Sequence, residues 1–305
     1  MERNSASSRV RRSGAGPARG TGFILIELLV VLAATSILTA ILLPAVVKAR
    51  QQARKLKGMS NQRQIVEAVN LFAMDNDGRY PESVATIGFG NSWNWQEPRM
   101  MTAYRRRSPG LHRSMSAQLR KYIKDASIMS CPSAPYQYKY LQQSWDAGDE
   151  WDNPETPVIP DPVIGTYCFY WNYTGYLGGR RGVFVGPKYL AGGRGQSRLL
   201  VSDYFGYDHW RSPTSYGSCE RFKRADVTDE TWVSSAYWSR PKVDDSISPD
   251  TLKIKLHAGY TDGHIEKYKP SEVVPMKVSL TPDGTVPYPN GVGAGTFYLP
   301  DNGAR

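Results

Sequence analysis

Four histidines serve a chain of 305 residues, and two of them, His257 and His264, bracket Asp262 within eight positions. Imidazole and carboxylate donors on one hairpin can converge on a transition metal, with Asp208 or His209 as a further donor. The plainer reading is a polar turn with exposed histidines, and it stands ahead of the metal site. Asp75-Asn76-Asp77-Gly78 has the composition of a calcium loop without its spacing, because an EF-hand places glycine sixth and glutamate twelfth. Residues 145–162 carry Asp146, Asp149, Glu150, Asp152, Glu155 and Asp161 with no basic residue, yet they name no ligand set. No cofactor is therefore expected, with calcium as the alternative. Cys131, Cys168 and Cys219 lack the CxxC spacing of zinc or redox sites. Serine, histidine and aspartate occur without a GxSxG elbow, and the glycine-rich pieces at 178–182 and 192–195 lack the lysine-serine ending of a phosphate loop. The expectation is that the chain is not an enzyme.

Association fits the residues better. Residues 23–47 read FILIELLVVLAATSILTAILLPAVV, an apolar run with a single charge at Glu27. As a helix this run is about 38 Å long against a hydrocarbon layer of about 30 Å, so it can span a bilayer. It exceeds the apolar region of roughly 7–15 residues found in a cleaved secretory signal. A carboxylate this far into lipid is costly unless it is paired, protonated or held near the headgroups. Before it, residues 1–22 carry Arg3, Arg9, Arg11, Arg12 and Arg19 against the lone acid Glu2 and have little to bury.

A basic leader, then Gly22, then Phe23-Ile24-Leu25-Ile26-Glu27-Leu28-Leu29-Val30-Val31 resembles the class III signal of type IV prepilins and type II secretion pseudopilins. The resemblance implies cleavage by a prepilin peptidase between Gly22 and Phe23 and N-methylation of Phe23. Glu27 would then be the fifth mature residue, paired with the terminal amine of a neighbouring subunit during assembly. Pro44 falls where that family often carries a helix-kinking proline, since proline removes one i to i−4 bond. The run QRQIVEAVNLFAMDNDGRYP at 62–81 is similar to the helix end of the major pseudopilin. Met129-Ser130-Cys131-Pro132-Ser133 and Asp262-Gly263-His264 are similar to short signatures of large-headed pilin-like proteins, although His257 lies only five residues before Asp262, less than the usual spacing there. The partners implied are the peptidase, other pilin or pseudopilin subunits, the inner membrane and an assembly platform. The implied location is a single pass through a bacterial inner membrane, with the leader cytoplasmic, the head periplasmic, and a place in a pilus or pseudopilus. This orientation comes from the resemblance. Five basic residues before the span and six after it, Lys48, Arg50, Arg54, Lys55, Lys57 and Arg63, leave the positive-inside rule undecided.

These features require particular elements to position them. Val46, Ala49, Ala53, Leu56, Val66, Val69 and Phe72 or Ala73 recur mostly at three- and four-residue steps, so one helix continues to about Met74. Gly78 and Pro81 then end it. All 8 Trp and all 19 Tyr lie at or beyond Tyr80, and short candidate strands fall at 166–173, 182–185, 198–204, 251–257, 264–268 and 273–280. In 251–257, Leu252, Ile254 and Leu256 face one way and Lys253, Lys255 and His257 the other, a half-buried pattern that predicts an outward His257 and a turn at 258–263. The expected class is α+β: a long pilin-like N-terminal helix, transmembrane then amphipathic, packed on a mainly antiparallel β head. The segments are 1–22 (leader), 23–47 (span), 48–78 (amphipathic half) and 79–305 (head).

The surplus of 38 basic over 28 acidic residues favours anionic surfaces and leaves DNA binding by the head open. Arg105, Arg106, Arg107 and Arg113 cluster apart from the acidic stretch, so opposite patches could meet between subunits. Two functions compete. One is a structural filament subunit; the other is a non-polymerising, membrane-anchored extracytoplasmic ligand- or DNA-binding protein with a pilin-type signal.

Overall fold

The computed structural model describes residues 25–85, 97–102, 113–134, 140–150, 163, 165–178, 181–207, 217–218, 221–223, 230–232, 254–277 and 296–304. The chain forms two compact units, Met1–Arg50 and Gln51–Arg305.

The first helix, α1 (Leu25–Asp75), runs for 51 residues and includes Pro44. In the N-terminal unit none of its residues is buried, and Leu25, Ile37, Leu38, Ile41 and Leu42 are among the most exposed apolar side chains. The hydroxyls of this stretch satisfy themselves: Thr35 donates to Val31 O (2.9 Å), Ser36 to Leu32 O (2.7 Å) and Thr39 to Thr35 O (2.7 Å). Such i to i−4 back-bonding lets hydroxyls sit among apolar residues without an outside partner.

In the second unit, α1 buries Gly58, Asn61, Gln62, Ile65, Val66, Ala68, Val69 and Ala73, one stripe at helical spacing. The expected stripe holds at Val66, Val69 and Ala73 but not before them. Ala49 and Ala53 are exposed and Leu56 is 64% exposed, so contact with the head begins at Gly58, and its first polar members are residues that a search for apolar periodicity passes over.

The helix ends as its sequence predicts. Gly78 N–H donates to Ala73 O (2.8 Å) and Asn76 Nδ2 to Phe72 O (2.7 Å), which occupies the last carbonyls. The segment then joins the head: Tyr80 N–H donates to Lys188 O, Tyr80 OH to Asn70 Oδ1, and Asn172 Nδ2 to the carbonyls of Tyr80 and Pro81. Asp75 accepts from Lys121 Nζ and Tyr122 OH, both at 2.7 Å, and these bonds hold its carboxyl below the usual range. The Asp-Asn-Asp-Gly run is thus engaged in a clasp.

Two short helices follow, α2 (Met115–Leu119) and α3 (Leu141–Ala147), neither of which was anticipated. Twelve strands complete the described chain: β1 (Tyr167–Phe169), β2 (Thr174–Gly178), β3 (Gly182–Val185), β4 (Leu199–Asp203), β5 (Phe205–Tyr207), β6 (Gly217–Ser218), β7 (Arg221–Lys223), β8 (Glu230–Trp232), β9 (Leu256–Tyr260), β10 (Ile265–Tyr268), β11 (Val273–Lys277) and β12 (Thr296–Pro300). They form an antiparallel four-stranded sheet, β1-β4-β9-β10, an antiparallel six-stranded sheet, β3-β2-β11-β12-β5-β6, and the β7-β8 pair. The class is therefore α+β with antiparallel sheets. β3 coincides with its expected range, while β9 starts at Leu256, later than the expected strand; residues 251–253 lie outside the described residues.

Two apolar cores explain the layering. Ile65, Val66 and Val69 of α1 pack with Tyr167, Phe169, Leu200 and Val201 of the four-stranded sheet, and with Leu119, Ile123 and Trp145. Cys168, Leu199, Leu256, Ala258 and Tyr260 join Phe205, Met276, Phe297 and Leu299 of the six-stranded sheet in the second core. The four-stranded sheet is thus covered on both faces, and each fully buried large apolar side chain contributes roughly 1.5–3 kcal/mol. Cys131 and Cys168 are buried free thiols, and burial pushes Cys168 up to about 12, which keeps it an inert thiol. Cys219 lies outside the described residues.

Candidate functional site

Alternation along β9 sends Leu256, Ala258 and Tyr260 into the core between the sheets, and His257 and Gly259 to the opposite face. The predicted parity holds, but that face is under α1. His257 is 5% exposed, which corrects the expected outward histidine. Beside it, a Cβ on Gly259 would lie 2.8 Å from Val66 Cγ2, so only glycine lets α1 sit this close to the sheet.

β4 pairs with β9, Ser202 opposite Ala258, which sets Asp203 beside His257. Asp203 Oδ2 accepts from the His257 backbone N–H (2.8 Å) and contacts His257 Nδ1 (3.0 Å). A carboxylate only accepts, so Nδ1 carries the hydrogen. From α1, Gln62 Nε2 donates to Asp203 Oδ1 (2.8 Å) and to His257 O (3.3 Å). One turn neighbour, Asn61, donates to Ser130 O (3.1 Å) within the Met-Ser-Cys-Pro-Ser signature. Among the described residues, Asn61 Oδ1 and Gln62 Oε1 are buried without a hydrogen-bond partner.

This polar seam ties α1 to the four-stranded sheet. Asp203 is 3% exposed and Gln62 fully buried, so the Asp203 and His257 pair lies beneath α1. Ser202, next in sequence, is committed elsewhere through Tyr170 OH (3.1 Å).

The DG-H turn is a separate structure. Gly263 takes φ +88° and donates to Tyr260 O (2.9 Å), closing the β9–β10 hairpin. Asp262 accepts from Arg198 Nη2 (2.7 Å) and from the backbone and ring of His264, whose imidazole stacks on Tyr260 at 4.5 Å and 6°. Burial raises the Asp262 carboxyl, but the His264 hydrogen bonds and the Arg198 charge outweigh it and hold the group below its usual range. His257 is thus tied to Asp203, and Asp262 to Arg198 and His264. No group of three or more His, Cys, Asp or Glu is placed to hold a metal ion among the described residues. Asp208 and His209 lie outside them. In the acidic stretch, Asp149 accepts from Ser114 N–H (2.7 Å) and Asp146 from Gln142 Nε2 (2.9 Å). Replacing Gly263 by Ala puts a side chain at positive φ with no steric clash nearby, so it should cost about 1–2 kcal/mol, with Asn tolerated better. Urea melts of the two variants check this.

The other candidate surface is the first half of α1, the helix long and apolar enough to cross a membrane. Glu27 stands exposed in its first turn. Gly22 and Phe23 lie outside the described residues. Comparison with protein-family models, with curated proteins and with solved structures found no match.

Proposed function

We propose that the protein is a pilin-like or pseudopilin structural subunit, processed after Gly22 and assembled through its N-terminal helix into a type IV pilus-like or type II secretion pseudopilus filament. The observation that carries this reading is the apolar first half of α1, unburied from Leu25 to Ala45, with Glu27 as its one charge and Gly22 and the basic leader before it. A stretch of this length and apolarity needs lipid or apolar neighbours to cover it. The buried stripe from Gly58 to Ala73 supports the second part of the reading, a helix whose later half is docked on a β-rich head. In this reading the head is extracytoplasmic, and the chemistry of the molecule is association.

The test is expression of the full chain with and without a prepilin peptidase, followed by intact mass and amino-terminal sequencing of the membrane-extracted product. The expected product begins at N-methylated Phe23 only when the peptidase is present. A chain that begins at Met1 in both samples makes residues 1–47 an ordinary signal anchor and puts a non-polymerising ligand- or DNA-binding protein first. The size of the head, residues 79–305, favours that second reading, because a filament core needs much less.

A further inference from the structure

We infer that the stretch of α1 directly after the apolar run, with Lys48, Arg50 and Arg54, is a binding surface for the phosphate headgroups of anionic phospholipids. The inference rests on membrane insertion of the apolar run, but not on filament assembly.

Between Glu27 and Glu67 the chain has no acidic residue, so α1 carries its basic residues there without a carboxylate on the same stretch. Lys48, Arg50, Arg54 and Lys57 are exposed. Lys48, Arg50 and Arg54 make no ion pair among the described residues, whereas Lys57 feels the charge of Asp125. An ordinary solvated helix face intersperses both signs and gains from opposite charges at i, i+3 and i, i+4. Here those spacings set like against like, Arg50 with Arg54 and Arg54 with Lys57, which works against the helix. A dense anionic surface reverses the sign of that term. The charges also begin at the residue after Val47, where an inserted helix meets the headgroups, and the stems of Lys and Arg can lie along apolar surface while their heads reach phosphate. Attraction of this kind fades within a Debye length of about 8–10 Å, so only charges close behind the span take part. Nucleic acid shares the phosphate chemistry, but position directly behind the apolar run favours lipid.

The experiment reconstitutes the full chain in nanodiscs of equal phosphatidylcholine and phosphatidylglycerol, extracts it mildly, and counts the lipids retained per chain by mass spectrometry. The wild type should retain phosphatidylglycerol at about threefold or more over the bulk ratio. Replacing Lys48→Gln, Arg50→Gln and Arg54→Gln together should return the ratio to bulk, and high salt should do the same to the wild type without any substitution. Retention at the bulk ratio by the wild type, or equal enrichment in the triple variant, overturns the inference. Capture of a fluorescent DNA duplex by wild type in phosphatidylcholine nanodiscs, with no phosphatidylglycerol enrichment, assigns the surface to nucleic acid instead. Release of the wild type from membranes by alkaline carbonate overturns membrane insertion, and this inference with it, whereas a carbonate-resistant chain without enrichment sinks the inference alone.

Discussion

Glu27→Ala should insert into membranes and be cleaved after Gly22 like the wild type, yet be missing from filaments sheared off the cell. Removing a carboxylate from an apolar run eases insertion, by less than the cost of about 2.5–3.5 kcal/mol that an acid carries at the middle of a spanning helix, because Glu27 lies near one end. The proposed cleavage site, between Gly22 and Phe23, lies upstream of the change. Assembly is different. An apolar helix that leaves lipid for a filament core exchanges one apolar environment for another, so burial contributes little and packing and polar pairing must set the register. In the proposed filament Glu27 meets the terminal amine of Phe23 on a neighbouring subunit. Without the carboxylate that ammonium is buried unpaired, at a cost of about 3–5 kcal/mol per contact. Each subunit contact then weakens by roughly two to four orders of magnitude. Immunoblots of sheared and membrane fractions, with Glu27→Gln as the neutral isostere, give the readout. Normal incorporation of Glu27→Ala sinks the assembly role.

The helix is legible in the sequence and the head only partly so, for a physical reason. A run such as residues 23–47 declares itself by composition alone, and the end at Asp75 by its turn residues, because both signals are local. Strands depend on what they pair with. β3 and β10 are readable from their own residues, but β2, opening Thr-Gly and ending in glycine, carries little β propensity and is a strand because β3 and β11 flank it. The two short helices are likewise held by tertiary bonds: Trp145 Nε1 donates to Ile123 O and Ser114 caps α2.

His257 shows where local pattern runs out. Alternation along a strand reports which side a residue faces but not what covers that side. The sequence separates Gln62 from Asp203 by 141 positions and Asp203 from His257 by 54, so no motif scan joins them. Gln62 sits in the apolar register of α1, between Gly58 and Ile65, and a glutamine in such a place was the one available signal of a buried partner. The seam also accounts for specificity. Apolar contacts between α1 and the sheet tolerate a slide or a rotation of the helix, whereas Gln62 reaches Asp203 and His257 O together in one register only. Buried polar groups fix register in this way even where they add little stability.

Asp203→Ala should therefore be the most damaging single change in the head. The carboxylate accepts three hydrogen bonds, from the His257 backbone, the His257 ring and the Gln62 amide, and all three donors are buried. Each orphaned donor costs about 1–3 kcal/mol. They share one site and relax together, so the total expected is about 3–5 kcal/mol, a large part of an ordinary stability of 5–15 kcal/mol. Asp203→Asn keeps the volume and one acceptor oxygen but turns an NH2 group toward existing donors, so it should fall between the wild type and alanine. Urea unfolding of the full chain, followed by near-UV circular dichroism of tryptophans that all lie beyond Tyr80, measures the loss. Amide exchange along residues 58–73 of α1 locates it, with protection there falling by roughly two to four orders of magnitude if the seam holds the helix on the sheet. A loss below about 1 kcal/mol would mean that apolar packing alone docks α1 and that Gln62, Asp203 and His257 merely occupy the space.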